Sequence, residues 1–465
     1  MQYLNFNINI KYLLLFLLIL INCLGEGLNA LLAIPCIIIL FICLTFFKLQ
    51  NFYLVTKLSL KKLSDCKLYI IFMLYILICF FLKGCYGITR FFSAFVFGLI
   101  VSVFLCYLYG VYFAYKIETK KIIKLLVIIL YTYLLFGLLE LIVFKYGNST
   151  LMGLYEFTSG RPLYKLFSAK TNMLFPRIQS FFGEPSQYGW FLSCNIPIIL
   201  KLGTSKYRIF KNKLANLFTK KTLIPLSYIS LLFTQSPIWI VFGGIVTIVY
   251  KTIDYKKKVK KIFLVLLLLL PFIVLILINS GEVISVLSAN KVINRIYLTL
   301  LAFGDIDKLI IYEPSLANRL ISYTNMFCIY LKHPFIGVGW GNLLQTFIKQ
   351  LMISPVSLTD ELRFTIHSAN PAFNPATFFK VLAETGTIGI ILFYSIFVKT
   401  IDNARKTLIY SQSLEKDFMQ GLLMVVVCYM CFNFYDSILY HHYFWFIFGI
   451  IGGVYLKKIY VGKTR

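Results

Sequence analysis

Apolar runs long enough to cross a bilayer recur from about residue 12 to residue 456, and this recurrence limits the fold more than any single motif. The runs fall at about 12–25, 27–47, 68–84, 91–115, 122–145, 186–202, 222–234, 237–250, 262–280, 376–398, 418–434 and 443–456. Charged residues make up 14% of the 465 and apolar residues 59%. A soluble domain carries about a quarter charged residues, so this chain lacks the polar surface to cover itself in water. The expected fold is all-α: a polytopic transmembrane helix bundle of about 12 spans, forming one integral membrane domain over 1–465.

The net charge of +28 does not point to nucleic acid. Its basic clusters sit between apolar runs: Lys57, Lys61, Lys62 and Lys67; Lys206, Arg208, Lys211 and Lys213; Lys256 to Lys258, Lys260 and Lys261. That is the pattern of cytoplasmic connectors, not of a single-strand binder with interleaved aromatics. Most cysteines lie inside apolar runs, including the one CxxC pair, Cys428 and Cys431, so neither a zinc site nor a disulfide framework is indicated. Lys11, a short apolar run and Leu28-Asn29-Ala30 resemble a signal peptide, but a second span follows at once, which favours an uncleaved first helix.

Residues 222–250 lie between Lys220-Lys221 and the 256–261 cluster, so both flanks are expected inside. The segment should then enter and return, turning at Thr234-Gln235-Ser236-Pro237. Each limb would be short for a core roughly 30 Å thick, which is tolerated where protein encloses the turn. Both chain ends then fall on the cytoplasmic side, and lysine and arginine divide about two to one in favour of that side. Two long outer segments remain, 146–185 and 281–375. Their Phe, Tyr, Leu and Ile content argues against disorder, and 316–332 has apolar residues at helical spacing.

Three constellations in these outer segments could carry chemistry. Arg177-Ile-Gln-Ser-Phe-Phe-Gly-Glu184-Pro185-Ser186 precedes the sixth span. From spacing alone it reads as a helix cap with an interfacial arginine, or as a phosphate-binding arginine beside a carboxylate. Asn318-Arg319 is followed by Lys332-His333 and by Gly337-Val-Gly339-Trp-Gly341-Asn342. The glycine stretch follows no strand, so it reads as a tight turn between helices and not as a dinucleotide fingerprint. The third runs from Asp360 through His367 and Asn374 to Glu384-Thr-Gly386. A lone histidine is usually structural, yet polar neighbours make His367 a candidate general base.

Taken in order, RIQSFFGEPSQYGWFLS, LLFTQSPIW, NRLISY…LKHPFIGVGWGN and NPATFFKVLAETGTIG resemble the landmarks of the O-antigen polymerases (Wzy type) and the related O-antigen ligases (WaaL type). The likeness spans about 177–392, and Glu-Pro-Ser after the first arginine is closer to the polymerases. Ligase-like members place a His-Asn pair eleven residues before the first glycine of the GxxG ending. Here that position is Pro375, and His367 lies eight residues earlier.

The resemblance implies a metal-independent glycosyltransferase of the bacterial inner membrane, with the 281–375 loop periplasmic and partly helical. It would join polyprenyl-diphosphate-linked repeat units, without cofactor or nucleotide, beside a chain-length regulator in the same membrane. Arg177 and Arg319 match the family's outer-loop arginines and would hold the diphosphate, with His367 or Glu184 as a weak base. Ser186, Gln235 and Asn374 are polar members of the same motifs, assigned to substrate binding. Two other readings are weighed. A ligase would transfer finished glycan to lipid A–core. A lipid-linked glycan transporter should show repeated halves and mid-span ionisable groups, and only Glu140 is clearly of that kind.

Overall fold

The computed structural model describes residues 52–84, 91–146, 178, 180, 185–253, 305–312, 314–354, 357–368, 375–437, 439 and 441–461. The expected spans at 12–25, 27–47 and 262–280 lie outside them. Every element among the described residues is helical. After a helical lead-in at 52–62 come α1 (Ser64–Lys83), a π-helical stretch (Ser93–Leu105) running into α2 (Cys106–Lys116), and α3 (Thr119–Tyr146). Then follow α4 (Pro185–Thr204), α5 (Lys213–Phe233) and α6 (Pro237–Ile253). Four shorter helices come next: α7 (Ile306–Tyr312), α8 (Pro314–Lys332), α9 (Leu343–Met352) and α10 (Asp360–Ser368). The last three are α11 (Thr377–Tyr410), α12 (Ser413–Phe432) and α13 (His442–Val461).

Among the described residues, four helical stretches are long and apolar enough to cross a membrane: Ser64–Lys83, Gly98–Lys116, Thr119–Leu141 and Thr377–Tyr410. Helices α4, α5, α6, α12 and α13 cover the other expected spans in the described residues and pack into the same core, but fall short of that mark in length or apolarity. The chain is therefore a helical membrane protein.

Two expected boundaries move. The limb expected at 222–234 is a 21-residue helix that begins at Lys213 and runs through Lys220 and Lys221. Asn212 caps it, its Oδ1 accepting from Leu214 N at 2.8 Å and Ala215 N at 3.4 Å. Lysine is a good helix former, so a basic pair does not end a helix as it ends an apolar run. The span expected at 376–398 continues to Tyr410, because Thr400, Asn403 and Thr407 turn a polar face inward. Asn403 Nδ2 donates to the buried Asp65 of α1 at 3.0 Å, so the extra turns are held by α1 and not by lipid.

Helices α2 and α13 touch backbone to backbone. A Cβ on Gly449 would lie 2.1 Å from the Tyr107 carbonyl oxygen, and one on Gly110 would lie 2.3 Å from that of Phe446. Small residues permit such approach where no hydrophobic effect drives helices together. Gly449→Val should separate the pair and cost at least the roughly 1–3 kcal/mol of an overpacked core. The measurement is the melting temperature of detergent-purified protein, which should fall by several degrees; an unchanged value would refute the close contact.

Connectors 116–119, 204–213 and 410–413 lie together at one end of the bundle, joined by Ser205 Oγ to Asp417 at 2.8 Å and Thr119 Oγ1 to Glu415 at 3.3 Å. The opposite end carries the 233–237 turn, the 433–441 connector and helices α7 to α10.

Candidate functional site

The α5–α6 turn closes as expected at Thr234-Gln235-Ser236. Thr234 and Ser236 are buried, and Gln235 takes a left-handed backbone (φ 49°) that a non-glycine residue rarely adopts. The same turn meets the first arginine motif. Ile178 N donates to the Phe233 carbonyl at 3.1 Å, and Ser180, also left-handed (φ 53°), donates through Oγ to the Tyr133 carbonyl at 2.8 Å. Tyr133 lies thirteen residues before the end of α3 at Tyr146, about 20 Å of helix. Ile178 and Ser180 are thus sunk into the bundle below the tip of α3. Arg177 and Glu184 lie outside the described residues. Pro185 opens α4 where its missing N–H costs nothing, and Ser186 is half-buried in that first turn.

A ring of aromatics links this turn to Arg319. Trp239, in the first turns of α6, meets Tyr435 edge-on at 5.4 Å between centroids. Arg319, from α8, donates through Nη1 to Tyr435 Oη at 2.6 Å and lies over the Tyr435 ring at 4.5 Å. Tyr323, one turn further along α8, donates to the Tyr435 carbonyl at 2.6 Å and stacks on Phe379 at 4.5 Å. Burial pushes the Tyr323 phenol above its usual pKa, with Arg319 opposing and Asp436 and Tyr435 reinforcing, so it remains a donor. The connector also caps α11: Thr377 N donates to Asp436 O at 3.1 Å and Phe378 N to Asn433 O at 2.9 Å. One short connector therefore holds α8, α6 and α11 together, and Arg319 stands on it in a fixed orientation.

The glycine-rich turn locks the α7–α10 subdomain to the bundle. Gly337, Gly339 and Gly341 all have positive φ, and the turn lies between α8 and α9 as expected. Val338 N donates to Ala383 O and Gly339 N to Glu384 O, each at 3.0 Å, at a break in α11 where Gly386 takes φ 66°, ψ −165°. The buried Glu384 carboxylate accepts from Gly341 N at 3.0 Å, and Tyr75 of α1 donates to the Thr385 carbonyl at 2.8 Å. The second and third sequence motifs are thus two halves of one joint.

His367 is exposed in the last turn of α10, and no described contact joins it to Arg319 or Tyr435. The tie from α8 reaches the other end of that helix: Asn318 Nδ2 donates to Glu361 Oε2. Six residues of helix then separate Glu361 from His367, about 9 Å. Asn374 lies outside the described residues. His367→Ala should leave the protein level unchanged.

Tyr323 and Glu361 sit inside the sequence motifs with no role assigned to them there, and Tyr435 stands in none of those motifs. A signal was present: Asn433-Phe-Tyr-Asp-Ser437 interrupts two apolar runs with polar groups, more than a two-helix turn needs. Residues 222–394, which contain most of the α5–α6 hairpin, the Arg319 helix and both halves of the glycine joint, match the family model described as O-antigen ligase. No curated protein matches the chain.

Proposed function

We propose, from the match of residues 222–394 to the O-antigen ligase family model, that this chain polymerises polyprenyl-diphosphate-linked oligosaccharide units into a surface polysaccharide. The observation that carries this reading is the convergence of the two arginine motifs. Ile178, next to Arg177 in sequence, joins the α5–α6 turn, and Trp239 beyond that turn joins the Tyr435 platform of Arg319. The Arg319 guanidinium at one end of a membrane bundle, with the residue after Arg177 tied to the neighbouring turn, suits a diphosphate at the lipid surface with its tail among the helices.

In the proposed reaction the acceptor hydroxyl attacks the anomeric carbon of the donor sugar. The bond from that carbon to the diphosphate oxygen breaks, and the diphosphate leaves with the electron pair. Arginines stabilise the growing charge, so no acid is needed. The hydroxyl proton passes to a weak base, His367 or Glu184. Ser186, Gln235 and Asn374 would position the glycan. The setting is a bacterial inner membrane crossed about twelve times, with the 281–375 loop periplasmic, both chain ends cytoplasmic, and a chain-length regulator beside it.

The family description names the ligase, which is the second reading. Glu184-Pro185-Ser186, and proline instead of histidine at 375, favour the polymerase. Deletion decides between them: cells should show single repeat units on lipid A–core, whereas glycan absent from the core would mean ligase. Cysteine labelling tests the topology. Positions 205–220 and 251–261 should resist a membrane-impermeant reagent and 300–365 should react; labelling of 251–261 from outside would overturn the hairpin orientation.

A further inference from the structure

The end of the bundle opposite Arg319 holds a cavity of about 630 Å³ that the polymerisation reading does not use. It lies where the connectors before α3, after α4 and before α12 meet the last turns of α13. Its lining includes four cationic side chains, Lys120, Arg208, Lys457 and Lys458, and two acids, Glu118 and Glu415. Both acids are engaged: Glu415 accepts from Lys458 Nζ at 2.8 Å and from Thr119, and Glu118 pairs with Lys121 at 3.6 Å. Lys457 donates to the Ile117 carbonyl at 3.1 Å. Lys120 and Arg208 are exposed and take part in no ion pair or side-chain hydrogen bond among the described residues.

Two cations from separate segments, with no ion-pair partner among the described residues, thus face one cavity and are free to meet an anion there. Its floor is apolar (Ile123 and Leu414 are buried), and exposed apolar side chains lie beside it, Tyr207 at 45%, Tyr410 at 65% and Ile409 at 76%. An anionic head above, with alkyl surface alongside, describes an amphiphile. Basic pockets between transmembrane helices at the cytoplasmic side are where phospholipid head groups bind. We infer that this cavity binds a phosphate-bearing group supplied by an anionic phospholipid, with Arg208 and Lys120 as its principal contacts.

The test uses the full-length protein purified from nanodiscs of mixed phosphatidylglycerol and phosphatidylcholine, with co-purifying lipid counted by native mass spectrometry. Lys120→Gln/Arg208→Gln should weaken phosphatidylglycerol retention about thirtyfold, the equivalent of about 2 kcal/mol at about 1 kcal/mol per basic residue near a lipid surface. Lys61→Gln/Lys62→Gln, which removes two exposed charges from the same end, should leave it unchanged. All four side chains are exposed, so both double variants should fold, and a monodisperse elution profile confirms it. Equal loss in both would reduce the effect to general surface potential and overturn the site. So would unchanged retention in the cavity variant. Displacement of the lipid by millimolar inorganic phosphate would reassign the cavity to a soluble phosphate compound and overturn the lipid source.

Discussion

Arg319→Lys should lower polymer formation about ten- to a hundredfold while the protein stays inserted at its normal level. Lysine keeps the charge and most of the stem, so a residue that merely anchors α8 at the interface would survive the change. It lacks the planar fork that contacts two phosphate oxygens at once and cannot repeat the stack on Tyr435. One charge-assisted hydrogen bond is worth roughly 1.5–3 kcal/mol, which gives that range of rates if it is felt at the transition state. Arg177→Lys should behave alike. Tyr435→Phe supplies the contrast. It keeps the ring under the guanidinium and removes only the hydroxyl that accepts from Nη1, so it should cost less than Arg319→Lys. Glycan ladders and protein levels measured together would show this order, and near-normal ladders from both lysine variants would return the arginines to anchoring.

Gly386→Ala should be as damaging by a different route. Its backbone lies where side-chain-bearing residues pay about 1–3 kcal/mol, and a Cβ there would sit 2.4 Å from the Phe335 carbonyl carbon and oxygen. Neither side can yield, because Thr387 N donates to Pro334 O at 2.7 Å across the same joint. Gly337→Ala meets the mirror problem, 2.4 Å from the Glu384 carbonyl carbon. Both variants should free the 305–368 subdomain from α11, seen as faster proteolysis of that region and lower protein level. Gly244→Ala, whose Cβ would meet nothing within 4 Å, is the control and should be silent. Intact, protease-resistant Gly386→Ala protein would disprove the joint.

Much of the bundle was legible because bilayer spans announce themselves by composition. Apolar runs at 68–84, 91–115 and 122–145 became α1, α2 with its π-helical lead-in, and α3, and the polar 234–236 interruption became the expected turn. Helix ends were less legible. Lys213 to Lys221 and 399–410 are helical but polar, and an apolar-run reading stops where hydrophobicity stops. The site was legible only in part for a related reason. Arg319 stands out as a charge in an outer segment, whereas Tyr435 looks like any aromatic among 32 tyrosines until folding places it under that charge. Likewise the glycines at 337–341 and the break at Gly386 are separate motifs in sequence, and only the fold shows each filling the other's missing Cβ.

Polymerase and ligase part most cleanly in an assay of purified protein with a single substrate, a polyprenyl-diphosphate-linked repeat unit, and no lipid A–core. A polymerase should give products carrying two and more repeats on one lipid, one polyprenyl diphosphate released for each bond formed, and both signals falling together in Arg319→Lys. No elongation until lipid A–core is added, followed by transfer of glycan to it, would contradict the polymerase reading and make the protein a ligase.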